Sequence, residues 1–543
     1  MEITSSAMLK TTTTPPHPLA GEKVPLSAFD RAAFDVFVPL VFAYRAPAPS
    51  SEAVKEGLRV AVAAYPLVSG RIAVDGQGRR RRRRVLHVNN EGVLVLDATV
   101  EVDLDAVLAA NVATDLYPAL PEHSFGAALL QVQLTRFGCG GLVVGLIGHH
   151  HVFDGHSMST FCATWATAVR DSEAFIVPSP SLDRAITGVP RSPPAPVFDH
   201  RSIEFKVGNK SSDSSGAAAA AAVEKIANIG VRFTAKFVAE LKARVGGRWP
   251  SNAGAGPNPP APADLFGNMV LWAFPRLQVR RLLSSSYRDV VGAIRAAVAR
   301  VDAEYIQSFV DYVEVADARG EELAATAAEP GETLCPDLEV DSWLGFRFHE
   351  MDLGTGPPAA VLSPDLPIEG LMILVPVGGD GGGVDLFVAL ADDHAQAFEQ
   401  ICYSRLDTVC CRLMVGLPSP LPTAVCFWTG GCLLGPEYLR SSFNSLVLLV
   451  SLAAVKRSRT PGFSTLLSPQ SPLSLIPSTR KAVRALPQAL PDAKDVPELD
   501  LVIERSERRR GRFIRPIRRH NTYPIDTCHL RQQDRSDLRR RVV

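Results

Sequence analysis

The chain has 543 residues, 46% of them apolar and 21% charged, enough to bury more than one hydrophobic core, so two soluble domains are the natural expectation. Its 57 basic and 57 acidic residues balance, which argues against a dedicated nucleic-acid binder. The balance conceals an asymmetry, because Leu501 to Val543 holds 13 Arg against 5 acidic residues, leaving the rest of the chain acidic by eight charges. Met1-Glu2-Ile3-Thr4-Ser5-Ser6 shows no basic region leading into an apolar one, so no secretory signal is read there and a cytoplasmic address is expected. The nine Cys lack paired spacing, and five of them (Cys410, Cys411, Cys426, Cys432, Cys528) lie late in the chain; reduced thiols are expected. The longest apolar run, Leu446 to Val455, is well short of the roughly 20 residues a spanning helix needs, so no membrane partner is expected.

From Val24 to about Phe205, short β-type runs alternate with amphipathic stretches. Glu52 to Ala64 carries Val54, Leu58 and Val62 on one face and predicts a helix. Arg79 to Arg84 reads as a solvated hairpin rather than a nucleic-acid patch. Leu142-Val143-Val144-Gly145-Leu146-Ile147 is apolar, rich in Val and Leu and short, which predicts a buried strand. Asp154-Gly155 then signals a turn, and Ser157 is the candidate N-cap of a helix whose Phe161, Trp165 and Val169 recur every four residues. The Ser and Ala repeats of Ser211 to Ala222 read as a linker. Beyond it, a long helical pattern runs from Asp289 to Val313. Two strand-like runs, Leu371 to Val375 and Val384 to Leu390, flank a Gly-rich loop at Gly378 to Gly383. The sequence after Ser404 lacks sustained periodicity and reads as disordered.

The chemistry is concentrated in His149-His150-His151-Val152-Phe153-Asp154-Gly155. An imidazole near its ordinary pKa of about 6.5 can take a proton at neutral pH and return it, which is what acyl transfer requires. Alternate residues of an extended segment face opposite ways, so His149 and His151 are expected to be buried and satisfied. Three consecutive imidazoles cannot all face one ion on a strand, and no matching Cys or His cluster occurs elsewhere, so no metal is expected.

His150, Asp154 and Gly155 fill the pattern HxxxDG, which resembles the signature of the plant CoA-dependent acyltransferases called the BAHD family. Pro25 to Arg31, Tyr65-Pro66-Leu67-Val68-Ser69-Gly70-Arg71, Phe266-Gly267-Asn268, Ser342-Trp343 and Asp352-Leu353-Gly354-Thr355-Gly356 resemble further family segments in family order, with Leu353 and Thr355 in place of the usual Phe and Trp. Wording such as Glu339-Val340-Asp341-Ser342-Trp343-Leu344 resembles the branch that acylates amines of the agmatine or tryptamine type. The resemblance implies an α/β architecture of two chloramphenicol-acetyltransferase-like mixed-sheet domains followed by a largely disordered C-terminal tail. The expected boundaries are an N-terminal domain at 1–205 carrying HxxxDG, a crossover linker at 206–230, an incomplete C-terminal domain at 231–404 and the tail at 405–543.

The resemblance further implies a monomeric enzyme that uses acyl-CoA as co-substrate, with no other cofactor, and passes a hydroxycinnamoyl or benzoyl group to a small amine acceptor. His150 would be the general base and Asp154 its loop-holding partner in the motif. Gly155 would let the backbone turn, and Asp352, Gly354 and Gly356 would form a structural loop. Glu369 is a candidate for lining the acceptor pocket, with a solvated strand end as the competing reading. One departure stands out. After Gly246-Gly247-Arg248 the family continues with a helix and an Arg-bearing strand, whereas this chain passes through Pro-rich sequence to Phe266, so Asp154 is expected to lose an Arg partner. An O-acyltransferase and a catalytically silent relative are the alternatives.

Overall fold

The computed structural model describes residues 1–11, 16–75, 83–110, 113–201, 203–207, 226–245, 264–278, 281–282, 285–326, 334, 337–377, 382–402 and 425–432. All of them belong to one contact unit, Met1–Ser468. In chain order the first half supplies β1 (Glu2–Leu9), β2 (Lys23–Pro25), α1 (Ala28–Ala32), β3 (Phe37–Tyr44), α2 (Ser51–Ala64), β4 (Arg71–Asp75), β5 (Arg83–His87), β6 (Val93–Val100), α3 (Leu104–Ala110), β7 (Leu130–Phe137), β8 (Leu142–His149), α4 (Gly155–Asp171) and β9 (Phe205–Val207). The second supplies β10 (Ile226–Phe233), α5 (Ala235–Val245), β11 (Val270–Ala273), β12 (Arg276–Leu277), α6 (Tyr287–Val298), α7 (Ala303–Arg319), β13 (Leu323–Ala325), β14 (Leu338–Ser342), β15 (Ala360–Val361), β16 (Leu371–Pro376), β17 (Val384–Ala391), α8 (Asp392–Ile401) and β18 (Val425–Cys432).

Two mixed sheets organise the molecule. The first runs β1-β6-β7-β8-β3-β15 and the second β10-β17-β16-β14-β18-β11. β8 lies between β7 and β3, antiparallel to both, and every one of its residues is buried. That burial is why its sequence is an unbroken apolar run rather than an alternation. α2 begins where the Ser50 side chain accepts from the Ala53 N–H, and its Val54, Leu58 and Val62 are fully buried. Against it packs α4, whose Trp165 indole donates to the Val54 carbonyl at 2.9 Å. β15, from the second half of the chain, closes the first sheet against β3. The largest core cluster reaches from Leu9 through Phe161 and Phe346 to Phe387 and so takes in both sheets. No described helix is long and apolar enough to cross a membrane.

The helical pattern expected over Asp289 to Val313 is divided: Arg300 and Val301 donate to carbonyls three residues back, and the Asp302 side chain accepts from the Tyr305 N–H to start α7 afresh. The linker expected at 206–230 is entered by strands at both ends, since β9 reaches Val207 and β10 begins at Ile226. The repeats of Ser211 to Ala222 and the loop residues 378–381 lie outside the described residues. The Arg-rich hairpin is only partly described, and its visible members are engaged: Arg83 pairs with Asp317 at 3.4 Å, while Arg84 pairs with Asp35 and stands 5.0 Å over the Phe125 ring.

The tail expected to be disordered contributes β18, which pairs parallel with β14 and antiparallel with β11. An eight-residue stretch, Val425-Cys426-Phe427-Trp428-Thr429-Gly430-Gly431-Cys432, opens with β-formers, and two neighbouring strand edges supply the hydrogen-bonding partners that local periodicity does not reveal. The remainder, 403–424 and 433–543, lies outside the described residues.

Candidate active site

The motif occupies the junction between β8 and α4. His149 is the last residue of the strand, the His150 N–H donates to the Val36 carbonyl at 2.9 Å, and Asp154 is the helix N-cap. The cap is therefore Asp154 and not Ser157, which sits inside the first turn and donates its own N–H to Asp154 Oδ1 at 2.9 Å. Asp154 also receives the Met269 N–H on Oδ2 at 3.0 Å. The carboxylate expected to be short of an Arg partner is thus held by backbone N–H groups at the positive end of α4, where a negative charge is favoured.

The segment Leu265 to Met269 is tied to the start of α4. Ser157 Oγ donates to the Gly267 carbonyl at 2.9 Å and lies 3.1 Å from the Gly267 N–H, and the Asp154 N–H donates to the same carbonyl at 3.1 Å. This places Asn268 beside His150. The Asn268 amide nitrogen donates to Asp30 Oδ1 at 2.9 Å and to the His150 carbonyl at 2.8 Å, both of which only accept. Its Oδ1 must then be the atom 3.2 Å from His150 Nδ1, so Nδ1 carries the proton and Nε2 keeps its lone pair. Burial, partly offset by the Asp154 charge and the Asn268 contact, pushes the His150 pKa below its ordinary value. The imidazole is accordingly neutral at physiological pH, the state a general base requires.

Beneath this pair lies a buried ion pair between Arg184 and Asp30 at 2.5 Å, with side chains 3% and 0% exposed. Arg184 also donates to the carbonyls of His151 and Val152. One cation thus holds both the Asn268 partner and the backbone of the motif turn. Arg184→Ala would remove the cation paired with the buried Asp30 side chain, at a cost of about 3–5 kcal/mol. The expected result is a denaturant midpoint lowered in proportion with an unchanged m-value; an unchanged midpoint would show that the pair contributes nothing net.

Gly155 serves the site differently from the turn role expected of it. It is the first residue of α4, and a Cβ there would lie 2.2 Å from Phe346 Cε2, so the glycine permits close approach of that ring. Asp352, Gly354 and Gly356 form a tight loop in which Asp352 Oδ1 accepts from both glycine N–H groups, at 2.8 and 2.9 Å, and both glycines have positive φ.

A cavity of about 470 Å³ opens at His150 and Asp154. Its wall includes Phe34, whose ring is stacked 4.8 Å from Trp272 and tilted 6.4 Å from His150. Glu339 and Asp341, two residues apart on β14, also line it. Glu339 is 2% exposed, and burial together with the neighbouring Asp341 charge raises its pKa; burial raises that of Asp341 as well.

Glu369, the sequence candidate for the acceptor pocket, does not line this cavity. Its neighbour Ile368 does, and Glu369 faces the other way, buried with its Oε1 3.6 Å from His394 Nδ1 of α8. His149 and His151 share the face opposite His150 and meet Asp35, the potential ligand atoms of the three lying within 4.8 Å. His149 already bonds Asp35 through Nε2 at 3.1 Å and accepts the His151 N–H on Nδ1. Burial pushes Asp35 up, but hydrogen bonds from His149, Ser124 and Arg84 outweigh it and hold the carboxyl well below the usual range. Burial pushes His151 down to about 3. Asp35 and Arg184 were not singled out from the sequence, and Asp30 and Asn268 stood only within the family-like segments Pro25 to Arg31 and Phe266-Gly267-Asn268, with no role of their own. For Glu339 and Asp341 a signal existed: two carboxylates at strand spacing flanking Val340.

Comparison with known proteins shows the family of the chain. The model of the Transferase family matches residues 2–247 and 257–404. Tryptamine benzoyltransferase 1 of Oryza sativa subsp. japonica is 91% identical over 434 residues, spanning 74% of this chain and 98% of that protein. Tryptamine hydroxycinnamoyltransferase 2 of the same organism is 49% identical over 438 residues, spanning 74% and 99%. Since 74% of 543 residues is about 400, an alignment 434 long leaves about 30 positions of the relative without a counterpart here. The family match is interrupted at 248–256, where the internal departure was read. The crystal structure of vinorine synthase shares the fold, with a TM-score of 0.50, 18% identity and coverage of 72% of this chain and 95% of that one. With HxxxDG at the mouth of a cavity between two mixed sheets and a family match over most of its length, this chain belongs to the Transferase family, the BAHD acyltransferases.

Proposed function

We propose that this chain transfers a benzoyl or hydroxycinnamoyl group from CoA to an arylalkylamine of the tryptamine type, with His150 as general base. The observation that carries the reading is the unprotonated Nε2 of His150, held by Asn268 at the edge of the cavity. As the amine nitrogen forms its bond to the thioester carbonyl, Nε2 takes a proton from that nitrogen. The tetrahedral adduct then expels CoA sulfur, which leaves as the thiol with the proton returned by His150. No covalent bond to the protein is required. Asp154 acts as a positioning residue, because its oxygens are committed to the Ser157 and Met269 N–H groups. The names of the relatives support the acyl and acceptor classes.

A second reading, a protein that holds ligands without turning them over, is favoured by the roughly 30 positions that the 91%-identical relative has and this chain lacks. Purified full-length chain given benzoyl-CoA or coumaroyl-CoA with tryptamine separates the two. The expected result is amine-dependent release of free thiol with the amide detected by mass. Folded protein that releases no thiol with any amine would establish the second reading.

A further inference from the structure

Glu339 and Asp341 have no part in the chemistry assigned to His150, yet both face its cavity. They project from the same side of β14, while Val340 between them belongs to the core on the other side. Glu339 is almost wholly buried, and among the described residues its Oε2 has no partner other than the nearby Trp272 indole. The Trp272 indole N–H lies close enough to Glu339 to lower its pKa against the effect of burial, and has no other hydrogen-bond partner among the described residues. Among the described residues no Lys, Arg or His shares the cavity wall with the two acids except His150. A buried carboxylate with an open acceptor, a second one two residues away and no resident cation to answer them is an arrangement awaiting a cationic ligand. Phe34 and Trp272, stacked beside the acids and reaching toward His150, add a flat apolar surface on which an aromatic ring can lie.

We propose that Glu339 and Asp341 are the recognition site for the ammonium group of the acceptor amine, with Phe34 and Trp272 as the platform for its aromatic part. The inference rests on the amine-acceptor reading above and names the residues that would enforce it. It also addresses a proton problem. An alkylammonium has a pKa near that of lysine, about 10.4, and cannot attack a thioester until it loses one proton, after which a second must go to His150. A carboxylate of the pair takes the first: the ammonium N–H bond breaks, the carboxyl O–H bond forms, and the neutral amine keeps the lone pair that attacks. The raised pKa values of both acids suit that exchange.

The test compares tryptamine with tryptophol, which has the same indole and chain but an uncharged hydroxyl, by calorimetric titration into the full-length chain at pH 7.5. Tryptamine is expected to bind at least tenfold more tightly, and the Glu339→Gln, Asp341→Asn double variant is expected to erase the difference while leaving tryptophol binding within about twofold, since charge-assisted contacts account for that much discrimination. Equal binding of the two ligands to the unaltered chain overturns the proposal, as does a preference that survives in the folded double variant. Should the double variant not fold, Glu339→Gln alone carries the same comparison. Thiol release from benzoyl-CoA is followed separately: a tryptamine preference without turnover leaves the recognition site standing and removes the catalytic reading, and turnover without a preference does the reverse.

Discussion

Replacing His150 with alanine is expected to reduce amine-dependent thiol release by about 10²- to 10⁴-fold, the range that general-base catalysis contributes, while leaving the melting temperature within a few degrees. The reason is local. The His150 ring is tied to the fold chiefly by the Asn268 contact at Nδ1, whereas Nε2 is the atom that takes the proton in the proposed reaction. The expected loss is in kcat, because the ring contacts the transferred proton and not the body of either substrate. The pH profile supplies an independent check. Burial lowers the His150 pKa, so the neutral, working form persists to lower pH than an ordinary histidine allows. The His150 limb of kcat is therefore expected below the ordinary value of about 6.5, with activity falling as the pH drops through the lowered pKa, while ionisation of Glu339 and Asp341 at their raised pKa values adds a separate limb above it. A limb above about 6.5 that persists in the Glu339→Gln, Asp341→Asn variant and vanishes in His150→Ala would mean that the ring is stabilised as a cation, contrary to its surroundings.

A chain ending at Ser404 is expected to melt well below the full-length protein, by about 10 °C, although the family match itself stops at residue 404. β18 lies beyond that point and fills the space between β14 and β11, pairing Leu338 to Asp341 on one side and Val270 to Ala273 on the other. Without it both strands present unpaired edges. At about 0.5–1.5 kcal/mol net for each hydrogen bond lost, several kcal/mol disappear from a total that is ordinarily about 5–15. The same strands carry Trp272, Glu339 and Asp341, so the cavity wall is expected to loosen with the sheet. Thr429→Pro makes the point without truncation. Thr429 stands opposite Val340 and Ala273, and a proline there removes a ladder donor in the centre of the sheet. Calorimetric melting of the three proteins decides it: coincident transitions would place β18 outside the cooperative unit.

These two expectations differ in how they could be found. His150, Asp154 and Gly155 lie on one strand, turn and helix, and the local rules of apolar runs, caps and glycine turns identify that unit from its letters. The same rules located α2 and the β16 and β17 pair, because a buried stripe or a short apolar run is a property of neighbouring residues. They misplaced the cap by three residues and joined α6 to α7, since side-chain capping is decided by which oxygen reaches which N–H.

They also selected Glu369 over Glu339. Both are acids near strand ends, and only the direction of each side chain relative to the cavity separates them.

From the sequence alone came the family, the strand-turn-helix that carries the imidazole and the general layout of mixed sheets. Only tertiary structure decided which nitrogen of His150 is basic, through Asn268 lying 118 residues away, and through Arg184 and Asp30 beneath it, 154 residues apart. Only tertiary structure brought a strand from beyond the family region between β14 and β11. Hydrogen bonds of that span depend on where distant segments meet once the cores are packed, and no window of local sequence contains both partners.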